Sequence, residues 1–191
     1  MRAWWAFWAR SWAESVEAAR LHSRAAGEVH ALHAALFLGT GDPRAAISWA
    51  MAWTHVGLLP AERGLGVPNT LSLVRANLPI IAPSRPRLVA VVAVLTDLAD
   101  GAIARASGGV TPFGAYADTL ADVVFWMWFA RRYEARAWLR RAAILFWLVP
   151  PVALTAAALV GGRMPVVPRP TIVRTLSAAL QSTLTIRALR R

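Results

Sequence analysis

Four of the five aspartates in this 191-residue chain, Asp97, Asp100, Asp118 and Asp122, fall within one 26-residue stretch. The sequence around them is apolar: LVAVVAVLTDLADGAIARASGGVTPFGAYADTLADVVFWMWFA. An ionised Asp in the middle of a membrane helix costs roughly 2.5–3.5 kcal/mol, so four would cost about 10 kcal/mol with nothing to offset them. Something positive must compensate, most simply a divalent metal. Asp97 and Asp100 are i, i+3 and share a helix face; Asp118 and Asp122 are i, i+4 and share another. The segment ASGGVTP (106–112) between the pairs carries two glycines and a proline and breaks the helix. So short a loop predicts antiparallel neighbouring helices, with both pairs at one depth near the loop. Carboxylates alone are hard oxygen ligands that suit Mg²⁺ or Mn²⁺. Two such ions a few Å apart form a clamp for displacement at phosphorus. Gly101 leaves the helix backbone open to a ligand, Ala104 continues that small face, and Arg105 is placed to receive phosphate oxygens. Gly114, one turn before Asp118, permits close helix–helix or ligand approach. The residues thus describe a metal–diphosphate site at a membrane interface.

The elements that position this site read as helices throughout. Residues 87–105 and 113–131 carry the acidic pairs, and GVPNTLSLVRANLPIIA (66–82) precedes them across the turn PSRP (83–86). A polar connection, RRYEARAWLRR (131–141), leads to an apolar span at 142–160, kinked at Pro150-Pro151. The loop GGRMPVVPRP (161–170) then leads to a last helix at 171–191. At the N-terminus, residues 1–24 form a helix with Trp5, Trp8, Trp12 and Val16 on one face and Arg10, Glu14 and Glu17 on the other. That pattern predicts a helix lying in the membrane interface. A short apolar run at 29–39, the turn TGDP (40–43) and a helix of about 16 residues at 45–60 follow; each is short against the roughly 20 residues a bilayer requires. His30, His33 and His55 lie on these pieces and read as packing or interfacial residues. The expected fold is all-α: an integral membrane bundle of about six helices with an N-terminal amphipathic interfacial helix. Residues 1–62 are read as N-terminal helices and 63–191 as the membrane domain.

Composition agrees with a membrane protein and excludes other chemistries. The chain is 57% hydrophobic and only 16% charged, with mean hydropathy +0.45; about 25% charged is usual for a soluble domain. There is no cysteine, hence neither a disulfide framework nor a thiolate metal site. All 21 basic residues are Arg, which fits the coding bias of a GC-rich genome and excludes Schiff-base and P-loop-lysine chemistry. The net charge of +11 is spread along the chain beside apolar segments, as interfacial anchors are. No basic run accompanies a recognisable nucleic-acid module, so no nucleic-acid partner is expected.

From Asp97 to Asp122 the spacing is D-x2-D-G-x2-A-R-x8-G-x3-D-x3-D. This resembles the signature of the CDP-alcohol phosphatidyltransferases. All eight defining positions are present: Asp97, Asp100, Gly101, Ala104, Arg105, Gly114, Asp118 and Asp122. At residue frequencies near 5–8%, chance would give them on the order of once in 10⁸ windows. PNTLSLVR (68–75) is similar to the opening of the family's first core helix. The resemblance spans roughly residues 66–160. It implies a membrane-embedded transferase of phospholipid synthesis that uses Mg²⁺ or Mn²⁺ as two ions. Its donor would be CDP-diacylglycerol or another CDP-alcohol. An acceptor alcohol's hydroxyl attacks the β-phosphorus, and CMP leaves. Carried over by position, Asp97, Asp100 and Asp118 are metal ligands. Asp122 contacts metal and is the general base. Gly101, Ala104, Arg105 and Thr111 hold the CDP moiety, with Asn69 and Ser72 completing the nucleotide pocket. Arg75 and Gly114 lie beside it, and Arg163, Arg169 and Arg174 occupy positions suited to an acceptor phosphate. The resemblance also implies a homodimer in membrane lipid, in the bacterial cytoplasmic membrane, with the site facing the cytoplasm.

The chain departs from the family's pattern in three places. Only 28 residues separate Asn69 from Asp97, some dozen fewer than expected, which implies a truncated first core helix or one supported by the N-terminal helices. The part after residue 170 is short and polar, so a six-helix set draws on an N-terminal segment. A cytoplasmic Asp site would place RRYEARAWLRR on the far side, against the positive-inside rule. Two other readings compete with catalysis: a non-catalytic family member, and a divalent-cation transporter using the Asp cluster as its path. Transport gives no reason for Asp-Gly-x-x-Ala-Arg, and a non-catalytic member would be expected to have lost motif positions.

Overall fold

The computed structural model describes residues 2–161 and 171–190, with side chains except at 2–11, 154, 155, 157–159, 161 and 171. Eight α-helices occur among the described residues, and no strand. They are α1 (Arg2–Leu21), α2 (Ser23–Thr40), α3 (Arg44–Trp53), α4 (Gly66–Ile81), α5 (Pro86–Ala106), α6 (Pro112–Tyr133), α7 (Ala137–Gly161) and α8 (Thr171–Leu189), with a 3₁₀ turn at Val56–Leu58. The all-helical expectation therefore holds. The interfacial face assigned to Trp5, Trp8 and Arg10, and the acceptor positions Arg163 and Arg169, lie outside the described residues or side chains.

The two acidic helices start and stop where local chemistry dictates. Pro86 opens α5 at a position where a missing N–H costs nothing. Its C-terminal end gives way to Gly108, whose φ of +61° is in the left-handed region. Thr111 then caps α6: its Oγ1 accepts from the Gly114 backbone N–H at 3.0 Å, with Pro112 as the first helical residue. Three elements differ from expectation. The run at 29–39 is the continuation of α2, stopped by Gly41 in the left-handed conformation. The helix expected over 45–60 ends at Trp53 and passes into the 3₁₀ turn. The polar connector shrinks to residues 134–136, because Arg131–Tyr133 extend α6 and Ala137–Arg141 begin α7. Helix α7 continues through Pro150 and Pro151.

Helix α4 is the centre of the arrangement. It packs more extensively on α6 and on α5 than those two helices pack on each other. Helices α5 and α6 are in contact, as the short loop between them predicts, and α4 packs on both more extensively. One core joins α4, α5, α6, α7 and α8 through Leu78, Val89, Ala93, Phe125, Trp126, Phe129, Ala143, Trp147 and Leu184. A second joins the N-terminal helices to α4 and α6, with Ala25, Val29, Ala52 and Val56 against Leu73, Phe113 and Ala117.

Helix α4 is 16 residues long and is held by contacts from the N-terminal helices. The Glu28 carboxylate of α2 accepts from the Leu65 backbone N–H at 2.6 Å, placing negative charge at the N-terminus of α4. Farther along, Ser48 of α3 links α2 to α4. Its hydroxyl lies 3.0 Å from His33 Nε2 and accepts from Asn77 Nδ2 at 2.9 Å, and His33 Nδ1 lies 2.9 Å from the Val29 carbonyl. His30 accepts from Trp49 Nε1 at 2.7 Å, and His55 stacks on Tyr116 at 3.8 Å. The three histidines therefore have packing partners, as read from sequence. Glu28→Gln, which keeps the acceptor but not the charge, is expected to lower thermal stability modestly, and Glu28→Ala by more. Equal midpoints for both variants and the native chain would show that this contact does not hold α4.

At the opposite end of the bundle, buried Glu134 ties α6 to α8. It accepts from Arg187 Nε at 2.6 Å and Nη2 at 2.8 Å, and from the Arg136 N–H at 2.7 Å. Tyr133 donates to the Pro83 carbonyl beside it.

Among the described residues no helix is long and apolar enough to cross a membrane. For α5 the site itself is one reason. Every 18-residue window of that helix contains Asp97 and Asp100 together with Arg87 or Arg105.

Candidate active site

Asn69, Ser72 and Arg75 follow one another at three-residue intervals on α4 and are all buried. That spacing keeps them on one face, and the face looks onto the acidic pairs. The Arg75 side chain is 0% exposed, and its guanidinium stands among all four aspartates. Nη1 donates to Asp100 Oδ2 at 2.9 Å, and Nη2 donates to Asp118 Oδ1 at 2.6 Å. The same Nη2 lies 3.3 Å from Asp97 Oδ1, and Nε lies 3.5 Å from Asp122 Oδ1. Ser72 adds a second donor to Asp100 Oδ2 at 2.8 Å. The four carboxylates do converge, and what brings them together is a planar five-donor fork carried by α4.

The charges do not balance. Four carboxylates against one guanidinium leave a formal −3 around the buried Arg75 fork. At an effective dielectric of about 20, like charges 4 Å apart repel by roughly 4 kcal/mol. The donor set tests well against a divalent cation. Carboxylate oxygens of Asp97, Asp100 and Asp118 all lie within 4.8 Å of one another. An ion with oxygen ligands at about 2.1 Å spans roughly 4.2 Å between opposite ligands, so small side-chain rotations close the set. Charge, hardness and spacing all fit Mg²⁺ or Mn²⁺.

Asp122 stands apart from that trio. Its Oδ2 accepts from Gln181 Nε2 of α8 at 3.2 Å. Gln181 is itself buried, and its Nε2 also reaches Ser177 Oγ at 3.3 Å. The fourth carboxylate thus faces Arg75 with one oxygen and Gln181 with the other. Sequence reasoning missed Gln181, because a lone polar residue on a polar terminal helix gives no signal; only the folding of α8 against α5 and α6 brings it to the site.

The other sequence-derived residues distribute unevenly. Gly114 is needed for close packing: a Cβ there would lie 2.9 Å from Asn69 Oδ1. Asn69 Nδ2 donates to the Leu65 carbonyl at 2.6 Å. At Gly101 a Cβ would lie 3.0 Å from Arg105 Nη1, so the exposed Arg105 side chain folds back over the bare backbone. Ala104 is half-buried on the same helix. Thr111 is buried as the cap of α6, a role its place before Pro112 could have signalled. Arg174 is exposed on α8, seven residues before Gln181.

Three carboxylates within divalent-ion reach, a fourth bonded to Gln181 and a basic side chain over a bare glycine lie on these helices. The CDP-alcohol phosphatidyltransferase family profile matches residues 65–188, more than half of the chain. The chain belongs to the CDP-alcohol phosphatidyltransferase family. No curated protein and no solved structure matches it. The family match begins at the cap of α4 and extends beyond the roughly 66–160 expected from the motif, taking in α8 and with it Gln181. As a member of the CDP-alcohol phosphatidyltransferase family the protein has its candidate site on α4, α5, α6 and α8.

If Gln181 fixes the orientation of Asp122, Gln181→Leu is expected to lower kcat about tenfold and leave metal affinity within about twofold. A fall in metal affinity instead would place Gln181 with the metal ligands, and an unchanged kcat would remove it from the site.

Proposed function

We propose that this protein moves a phosphatidyl, or related phospho-alcohol, group from a CDP-alcohol such as CDP-diacylglycerol to an acceptor hydroxyl, in phospholipid biosynthesis. The observation that carries the reading is the division of the four aspartates: three clustered within metal-ligand reach and one, Asp122, held apart by Gln181. In this reading Asp97, Asp100 and Asp118 hold the divalent ions, with Asp122 at their edge. When bound, the ions supply charge neutralisation for the pyrophosphate and its developing negative charge.

The chain's own groups do the rest. Asp122 accepts the proton of the acceptor hydroxyl as that oxygen bonds to the β-phosphorus. The bond from the β-phosphorus to the bridging oxygen breaks, and its electron pair leaves on CMP. Arg105 lifts from Gly101 and receives phosphate oxygens, while the bare backbone at Gly101 lets the nucleotide approach. Asn69 and Ser72 wall the nucleotide side, and the Thr111 cap fixes the start of α6. Arg174, exposed on α8, is on the side from which an acceptor phosphate would come.

We further propose that the protein works as a membrane-embedded enzyme of the bacterial cytoplasmic membrane, its site facing the cytoplasm and residues 1–62 bracing α4. The apolar composition and the lipid nature of the donor support this. Resistance to alkaline carbonate extraction checks it, and release into the soluble fraction would contradict it.

The test of function is product identity. Purified protein in vesicles containing CDP-diacylglycerol and Mn²⁺ is offered glycerol 3-phosphate, inositol phosphate, phosphatidylglycerol and other alcohols, and the lipids are read by mass spectrometry. A new phosphatidyl product made with one acceptor and lost on chelation is expected. No product with any acceptor from a folded, metal-binding protein would contradict the donor assignment.

A further inference from the structure

Arg75 has a second consequence. It is the most deeply buried charge in the molecule's acidic site, and its three nitrogens touch a carboxylate from each of Asp97, Asp100, Asp118 and Asp122 at 2.6–3.5 Å. Those contacts reach the same three carboxylates that lie within metal-ligand distance of one another. An arginine whose task was to bind a nucleotide would have to present its fork to an opening. Here the fork is 0% exposed and its Nη donors are committed to carboxylates. Arg75, expected beside the nucleotide pocket, instead turns its fork onto the carboxylates.

We propose that Arg75 is a built-in counter-cation of the metal site, which holds the carboxylates together before metal arrives and competes with metal for them afterwards. The inference rests on the metal reading above. Its physical basis is charge. With Arg75 the site carries −3; without it, −4. A guanidinium a few Å from an incoming divalent ion repels it, and removing the guanidinium removes that repulsion. Arg75 gathers the carboxylate groups, but the helices that carry them do not depend on it: α5 and α6 pack on α4 through Leu73, Leu78, Val89 and Phe125, so the aspartates stay within reach of an ion when the fork is removed. Arg75 therefore sets two quantities at once. It lowers metal affinity into a range where the ions can exchange, and it raises the stability of the metal-free protein by neutralising part of the cluster. Ser72, donating to the oxygen that also receives Nη1, keeps Asp100 oriented toward the guanidinium.

The test compares the native chain, Arg75→Gln and, as a control for lost charge, Arg85→Gln. Arg85 is exposed and lies twelve residues before Asp97, about 18 Å along a helix. Mn²⁺ affinity is measured by calorimetry, and the thermal midpoint is measured with and without Mn²⁺. Arg75→Gln is expected to bind Mn²⁺ at least about tenfold more tightly, to melt lower than the native chain without metal, and to gain more from metal than the native chain does. Arg85→Gln should match the native chain in both. Unchanged or weaker Mn²⁺ binding by Arg75→Gln, with normal binding by the native chain, would overturn the counter-cation role alone. No Mn²⁺ binding by either protein would overturn the metal reading and this inference with it. Should Arg75→Gln be unfolded without metal, Mn²⁺ must restore its fold; failure to do so would reduce Arg75 to a structural residue.

Discussion

Asp122→Asn is expected to lower turnover by about 10²–10⁴-fold, the usual worth of a positioned general base, while Mn²⁺ affinity falls by only a fewfold. Asparagine keeps the size of the side chain and can still accept from Gln181 through its amide oxygen, so α8 should stay seated. What it cannot do is take a proton. The separation of effects follows from the geometry: Asp122 is outside the carboxylate trio, and its contacts run to Gln181 at 3.2 Å and to Arg75 at 3.5 Å. Steady-state kinetics beside a calorimetric Mn²⁺ titration give both numbers. Near-normal turnover would remove Asp122 as the base, and loss of metal binding equal to the loss of turnover would make it a ligand first.

Asp97→Asn is expected to behave oppositely, with metal affinity and activity falling together by at least about tenfold. Asp97 belongs to the trio, and its bond to Arg75 is looser than those of Asp100 and Asp118, at 3.3 Å. Its side chain is 30% exposed, against 8% for Asp100. Losing its charge in the metal-free protein relieves repulsion from two neighbouring carboxylates, so the metal-free thermal midpoint should not drop. The midpoint rise produced by Mn²⁺ should shrink to a small fraction of its native size. The pair of readings matters: a variant that melts early without metal has lost structure, whereas one that merely stops responding to metal has lost a ligand. An unchanged Mn²⁺ titration would remove Asp97 from the ligand set.

The site was legible in the sequence to the extent that its information is local. The i, i+3 and i, i+4 spacings and the Gly-Gly break fix where the carboxylates sit on their helices, and the structure places α5 and α6 within a residue or two of the limits read from them. Thr111 and Pro112 mark the start of α6 by ordinary capping chemistry. The partners of those carboxylates are long-range, and that is where the sequence falls silent. Arg75 is marked by the PNTLSLVR resemblance as a neighbour of the nucleotide pocket, but nothing near it in the chain says that its fork will be buried among carboxylates 22 to 47 residues away. Gln181 lies 59 residues from Asp122, on a helix whose pattern is polar. Glu28, 37 residues before Leu65, could not be read as the support of a helix not yet built. The central place of α4 is unreadable for a related reason. A short loop brings two helix ends together, but it does not say which helix fills the space between their lengths, and here α4 does.

CMP release reports metal-dependent transfer by this aspartate site without an intervening step. Purified protein, its Asp122→Asn variant and a chelated sample would be given CDP-diacylglycerol, with and without an acceptor alcohol. CMP is expected from the native protein only when both metal and acceptor are present, and none above background from the other two. Equal CMP release by native protein and Asp122→Asn, or release that survives chelation, would contradict it.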